Sequence, residues 1–266
     1  MVDLRQEPSL SFGAHFYDGP DAVTRWHQHG LHEIEYSIRG IAEIESAASH
    51  HLLPPLQAAW IPAGVTHRTT LRRVQTMSVF FAPPLMAGFQ DRVRIIAVTP
   101  LVKEMLLHAA QWPIDRSADT RPSADFAGAL AQLVAEALEH ELPLGLPTSS
   151  DPLVAEIMEF TRMHLVDLHL AELARRFALS ERTLHRRFTA SCGMTWSDYL
   201  ATARLLRAVA LLTEPDMSVL QVCHAVGFTS FSAFSRAFKR RLGETPSAYR
   251  ARVNAPSRPS PARSPA

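Results

Sequence analysis

Seven of the thirteen histidines fall before residue 68, and their spacing suggests a donor set. Trp26-His27-Gln28-His29 is followed by Gly30-Leu31-His32-Glu33, and further on by Pro62-Ala63-Gly64-Val65-Thr66-His67. On an extended strand His27 and His29 face the same side, because side chains alternate with a period of two. Glu33 lies four residues beyond His29, past a bend at Gly30, and the Pro-x-Gly turn can bring His67 beside them. Three imidazoles and one carboxylate suit iron, manganese, cobalt, nickel or zinc, and suit calcium or magnesium poorly. Free coordination positions would accept water or an anionic oxygen. The same histidines could instead form the polar lining of a metal-free pocket for a small organic effector. His32 stands next to the set and could compete with a ligand or touch the effector. Trp26, Tyr36, Trp60 and Phe80 are placed to line either pocket or to pack the core, and His50 and His51 read as an exposed loop.

A second set of chemistry-bearing residues lies in the back half. Leu170, Leu173, Ala174 and Phe177 follow helical spacing. A short turn, Ala178-Leu179-Ser180, comes next, and Ser180 is a good N-cap. In the helix it opens, Leu184 and Phe188 point inward and leave Arg182, His185 and Arg186 outside, flanked by Arg187. The plan then repeats. Ser218 and Gln221 form a capping box, and Val219, Val222, Cys223 and Val226 make an apolar face. Gly227 turns, Thr229 or Ser230 caps, and Phe234 and Phe238 point inward. Phe231, Ser232, Ser235, Arg236 and Lys239 remain outside. Two helices joined by a tight turn, the second with a basic outer face, form a helix-turn-helix, whose second helix enters the DNA major groove. Arginine reaches guanine O6 and N7 bidentately, while the remaining basic residues hold phosphate. Between the units Thr195 caps a helix from Trp196 to about Leu212 with apolar surface toward both. Phe188, Trp196, Phe228 and Phe238 read as core rather than as stacking platforms.

The elements that must position these sets follow from pattern and charge. Residues 1–151 hold 11 Lys and Arg against 17 Asp and Glu, a net of −6, and residues 152–266 hold 16 against 9, a net of +7. The front half should repel a polyanion and the back half attract one. With 266 residues the chain is long enough for two domains. No apolar run is long enough to span a membrane. Met1 to Leu10 carries acids and lacks the apolar core of a signal peptide. Two cysteines, Cys192 and Cys223, make no disulfide framework, which suggests a cytoplasmic protein. Residues 10 to about 83 read as short strands with Pro and Gly turns, a small antiparallel barrel. From about 99 the period becomes helical. Leu101, Met105 and His108 share one face, and Ala127, Leu130, Leu133, Val134 and Leu138 form the stripe of a helix from about Ser123 to His140. That stripe would cover the barrel or join two copies in a homodimer. Leu142 to Asp151 reads as a linker, and the Pro-, Ser- and Arg-rich tail has nothing to bury.

Both halves resemble known families. Leu170-x-x-Leu173-Ala174, Ser180-x-x-x-Leu184-x-Arg186-x-Phe188, Gly193 and Tyr199-Leu200-x-x-x-Arg204-Leu205 resemble the first half of an AraC/XylS-type DNA-binding domain. Val226-Gly227-Phe228-x-Ser230-x-Ser232-x-Phe234-x-Arg236-x-Phe238-Lys239 and Gly243-x-x-Pro246-x-x-Tyr249-Arg250 resemble the second. The resemblance implies seven helices and transcriptional control at a promoter. It places the base-reading positions on Arg182, His185 and Arg186, and on Phe231, Ser232, Ser235 and Arg236. His169, Cys223 and Phe231 depart from its usual residues. In the front half, His27-x-His29-x-x-x-Glu33 with Gly40, then Pro62-x-Gly64-x-x-His67, resemble the two cupin motifs, although Leu71 stands where an Asn is expected. This implies His27, His29, Glu33 and His67 as ligands of one divalent transition metal per chain (nickel, zinc, iron, manganese or cobalt).

The expected architecture is therefore two domains, an all-β cupin barrel with one or two packed helices and an all-α domain with two helix-turn-helix units. The divisions are 10–98 for effector or metal binding, 99–151 for a helical extension and linker, 152–251 for DNA binding and 252–266 for a disordered tail. The expected function is sequence-specific transcriptional regulation in response to a small molecule or metal, with promoter DNA and, for an activator, RNA polymerase as partners. The alternative is a cupin metalloenzyme, an oxygenase or isomerase, fused to a DNA-binding domain. Against the enzyme, no separate acid–base pair stands out near the motif.

Overall fold

The computed structural model describes residues 10–86, 88–142, 144–213 and 216–254. The expected disordered tail falls outside the described residues from 255 onward. Two 15-residue strands, β3 (His32–Ser46) and β6 (His67–Phe81), pair antiparallel along their length and form the middle of the front domain. β6 is flanked by β1 (Phe12–Asp18) and β2 (Ala22–Val23). β3 is flanked by β4 (Ser49–Leu53) and β5 (Gln57–Ile61), with β8 (Gly145–Pro147) outside β4 and β7 (Arg94–Ala97) outside β5.

This is an open sheet, and the expected closed cupin barrel is not present. Closure would need the β1/β2 edge to pair with the β7/β8 edge, and among the described residues no such pairing exists. Each edge is instead occupied by later chain. Ala14 donates to Trp112 O and accepts from Ile114 N, both at 2.9 Å, and Leu142 N donates to Ile95 O at 2.7 Å. The sequence pattern also suggested two strands broken at Gly40. The strand in fact continues through Gly40 (φ 75°), with register shifts between Ser37 and Ile41 that bend it without ending it.

Nor is the front domain all-β. Alternation along β1, β3 and β6 places Phe12, Ile34, Tyr36, Val79 and Phe81 together in one apolar cluster. The helices α1 (Pro100–His108) and α2 (Arg121–Leu138) cover it with Val102, Leu106, Ala127, Leu130 and Val134, giving a mixed α/β domain. The α2 stripe thus packs on its own sheet, with Leu133 partly exposed at its margin.

The back domain contains α3 (Pro152–Met163), α4 (Leu170–Arg176), α5 (Glu181–Cys192), α6 (Trp196–Leu212), α7 (Val219–Ala225), α8 (Phe231–Leu242) and α9 (Pro246–Val253). The caps are those read from the sequence. Ser180 accepts from Thr183 N, Ser230 from Ala233 N, and Ser218 and Gln221 cap reciprocally, whereas His169 makes no side-chain cap. α6 serves both units: Leu200, Ala203 and Leu206 join one core, and Leu205, Val209 and Leu212 another. The first core is continuous with Ala42, Ile44, Leu53 and Leu146 of the sheet, so the first helix-turn-helix is built onto the front domain.

The two helix-turn-helix turns share one conformation, a left-handed residue at Ala178 (φ 53°) and at Gly227 (φ 87°). At Gly227 a Cβ would stand 2.7 Å from Leu165 O, the carbonyl that accepts from Arg204 Nε, so a side chain meets both backbone strain and a collision. Gly227→Ala should cost about 2 kcal/mol or more and lower Tm by about 5 °C. Gly193→Ala, with φ 73° but open space around it, should cost about 1 kcal/mol. Thermal unfolding of the two variants measures the difference, and equal losses would refute the packing role of Gly227.

His50 and His51 are not in an exposed loop. Both are buried on β4, where the sequence offered only a polar HH pair and no periodicity. Burial, helped by the charge of His50, pushes His51 down to about 4. Its folded value therefore lies below that of the unfolded chain, and the stability it contributes is complete above about pH 6.5 and is lost as pH falls toward 4. Between pH 7 and pH 5 this amounts to roughly 2 kcal/mol. Denaturant titrations at the two pH values should show that loss, and His51→Gln should flatten it. An unchanged slope in the variant would assign the acid lability elsewhere.

Candidate sensor site and nucleic-acid interface

The structure gathers His27, His29 and His67 at one end of the sheet. His27 and His67 face each other across an antiparallel bridge, with His27 N donating to His67 O at 3.0 Å and His67 N to His27 O at 2.9 Å. Their rings lie 4.3 Å apart, and the His29 ring is 5.2 Å from that of His67. Each imidazole is held the same way. Nδ1 of His27 lies 2.8 Å from Arg25 O, that of His29 2.7 Å from Leu31 O, and that of His67 2.9 Å from Val65 O. A carbonyl only accepts, so each Nδ1 carries the proton and donates it. With Nδ1 so engaged, Nε2 is the ring nitrogen each histidine has left for a ligand. Fixing the tautomer through the other ring nitrogen is how metal-binding histidines are generally oriented.

Glu33 joins the set through its neighbours. Its Oε2 is 3.0 Å from His29 Nε2 and 3.8 Å from His67 Nε2. Burial opposes its charge, but the hydrogen bond and charge of His29, with the charge of His67, outweigh burial and hold the carboxyl down at about 2. His29 is shifted upward: burial works against its charge, and the Glu33 bond and charge prevail. Without a metal, Glu33 thus favours the protonated form of His29, with His27 and His67 beside the pair.

One ligand atom from each histidine lies within 4.8 Å of the other two, so the trio could coordinate a divalent metal ion. Bonds of about 2.0–2.1 Å from nitrogen to zinc require these atoms to close by on the order of 1 Å. The adjoining cavity is about 80 Å³, room for a few waters or a small oxygen ligand on the ion. Glu35, Thr69, Thr76 and Ser78 also line it. Burial first, and the charge of Glu33 second, raise Glu35 to about 8. The sequence reading passed over Glu35; the signal was the Glu-x-Glu alternation that places it on the same strand face as Glu33.

The other residues singled out near the site divide. Phe80 lines the cavity, whereas Tyr36 and Trp60 pack on the helix-covered face and Trp26 is half exposed. His32 is buried against Trp60, its Nδ1 accepting from Ala63 N at 2.9 Å, and it does not line the cavity.

In the back domain Arg182, His185 and Arg186 are exposed on α5 while Leu184 and Phe188 are buried. On α8, Phe231, Ser232, Arg236 and Lys239 are exposed, Ser235 is half-buried, and Phe234 and Phe238 are buried. Arg187 is engaged bidentately by Asp151, the N-cap of α3, at 2.6 and 2.9 Å.

Residues 173–252 match the model of a helix-turn-helix domain, and residues 9–147, more than half of the chain, match that of an AraC-like ligand binding domain. The chain belongs to the AraC family. The front domain is thus matched as an AraC-like ligand-binding domain, which, with the open sheet, corrects the cupin-barrel reading. As an AraC-family protein it is a sequence-specific DNA-binding transcriptional regulator and not a metalloenzyme. It is similar to the HTH-type transcriptional regulator NimR of Escherichia coli K12, 27% identical over 94% of this chain and 90% of that protein. Its back domain is 44% identical over 80 residues to the HTH-type transcriptional regulator RipA of Corynebacterium diphtheriae, 30% of this chain and 24% of that protein. It is 42% identical over 82 residues to the HTH-type transcriptional activator RhaS of Yersinia pestis, 31% of this chain and 30% of that protein. No helix of the described residues is long and apolar enough to cross a membrane.

Proposed function

We propose that this AraC-family regulator reads its operator with α5 and α8 and senses a divalent transition metal, or a small oxygen ligand carried on one, at His27, His29, Glu33 and His67. The observation that carries the sensing half is the common tautomer of the three imidazoles, set by three separate backbone carbonyls. A polar pocket lining needs no such agreement. Arg182, His185, Arg186, Phe231, Ser232, Ser235 and Arg236 are the base readers in this proposal, and Lys239 holds phosphate. Support comes from their shared outward placement on the second helix of each unit. The working division remains 10–98 for sensing, 99–151 for extension and linker, and 152–251 for DNA binding. RNA polymerase is a partner if the protein activates.

Protein purified without a metal-affinity tag tests the sensing half. It should carry or take up about one equivalent of nickel, zinc, iron, manganese or cobalt, as one mixed nitrogen and oxygen site requires. Failure to take up any of them would end the metal reading and leave the DNA-binding assignment intact.

A further inference from the structure

The second helices of the two helix-turn-helix units repeat each other position for position. α5 and α8 each have 12 residues, are capped by Ser180 and Ser230, and end on left-handed Gly193 and Gly243. With the caps aligned, Leu184 and Phe188 match Phe234 and Phe238 in the core, and Arg186 matches Arg236 outside. The first residue after the cap breaks the match: it is Glu181 on α5 and Phe231 on α8. A carboxylate suits the positive end of a helix, whereas an aromatic ring in that place does nothing for the cap.

Phe231 begins the stripe that Phe234 and Phe238 continue, yet the core closes without it. The ring of Phe234 lies 5.3 Å from that of Phe228 and 5.7 Å from that of Phe238, and Phe234 and Phe238 are fully buried. The Phe231 ring stands off at 6.3 Å from Phe234, tilted by 55°, and stays 41% exposed. At the matching place of α5 the exposed Glu181 serves, so the fold does not require an apolar side chain there. The N-terminal turn of a recognition helix is the part that meets base edges in the major groove. A phenyl ring brings neither a hydrogen-bond donor nor a strong acceptor to that groove, and the apolar group the groove offers is the C5-methyl of thymine.

We propose that Phe231 reads the methyl group of a thymine in the half of the operator served by α8, an inference that rests on the base-reading role proposed for that helix. Five residues separate Phe231 from Arg236, about 7.5 Å along the helix axis. The thymine therefore stands about two base pairs from the base that Arg236 reads. At the matching place α5 presents a carboxylate, which gains nothing from a methyl group, so the preference belongs to the α8 half alone.

Deoxyuridine in place of thymidine removes the methyl group and leaves the hydrogen-bonding edge unchanged. An operator obtained by selection on the full chain is therefore remade with each thymine of the α8 half replaced in turn. One replacement, about two base pairs from the position that Arg236→Ala relaxes, should weaken the parent chain about fivefold. Phe231→Ala should bind the two operators alike, and Phe231→Leu should keep part of the preference. Phe231→Glu, which copies α5, should lose the preference and keep the parent Tm. If no thymine in that half responds while Arg236→Ala still relaxes one position, the proposal is overturned and α8 remains a base reader. Uniform loss across sequences in Arg236→Ala would remove the base-reading role of α8 and this inference with it. A lowered Tm in Phe231→Glu together with the parent's thymine-to-uracil ratio would assign the ring to packing.

Discussion

Arg186→Ala and Arg236→Ala should each weaken binding of the full chain to its operator on the order of 10- to 100-fold, and should relax selectivity at one base position each, at opposite ends of the site. Arg186 is exposed on α5 and Arg236 on α8, and neither is tied up by a carboxylate as Arg187 is by Asp151. Lys239→Ala should behave differently, lowering affinity for all sequences alike and reducing the salt slope by about one. Selection from random duplexes, repeated with each variant, separates the outcomes. Uniform loss across sequences for both arginine variants would remove them from the base-reading set. The full chain is the right material, because the first helix-turn-helix shares its core with the sheet.

His29→Ala should lose at least about 100-fold in metal affinity, since it removes one nitrogen donor and also the partner that holds the Glu33 carboxylate in place. Glu33→Gln should lose less, on the order of 10-fold, because the three imidazoles keep their backbone anchors. His50→Ala is the control: its Nε2 faces Glu43 and Glu45, away from the cluster, so metal affinity should hold even if stability falls. Competition with a chelator of known affinity measures all three. Equal affinity in His29→Ala and the parent chain would place any bound metal elsewhere.

Much of the DNA-binding half was legible because local signals decide it. Ser180, Ser218, Thr195 and Ser230 cap their helices, and Gly227 alone fits its turn. The histidine set was legible too, since His27 and His29 lie on extended backbone and the Pro62–Gly64 turn returns His67 opposite His27. Barrel closure was not, because it depends on which distant segment reaches an edge first. Pro113 and Leu142 reach the edges of this sheet, and nothing in the strands themselves announces it. His50 and His51 were misread for a related reason. Their burial comes from β8, three residues inside a stretch whose Pro, Gly and Ser content suggested only a linker. The shared core was invisible for the same cause, since Leu146 enters the cluster that also holds Val154 as part of β8.

The central claim, that the state of the histidine site controls DNA binding, is tested most directly by one titration. Operator affinity of the full chain is measured metal-free and with one equivalent of the metal it takes up, at fixed salt and pH. The metal-loaded and metal-free chains should differ in affinity by about 5- to 150-fold, and operator DNA should change metal affinity by the same factor. His29→Ala should bind the operator identically with and without metal. Equal operator affinity for loaded and metal-free protein would contradict the account, and would leave a DNA-binding regulator whose histidine cluster plays no part in sensing.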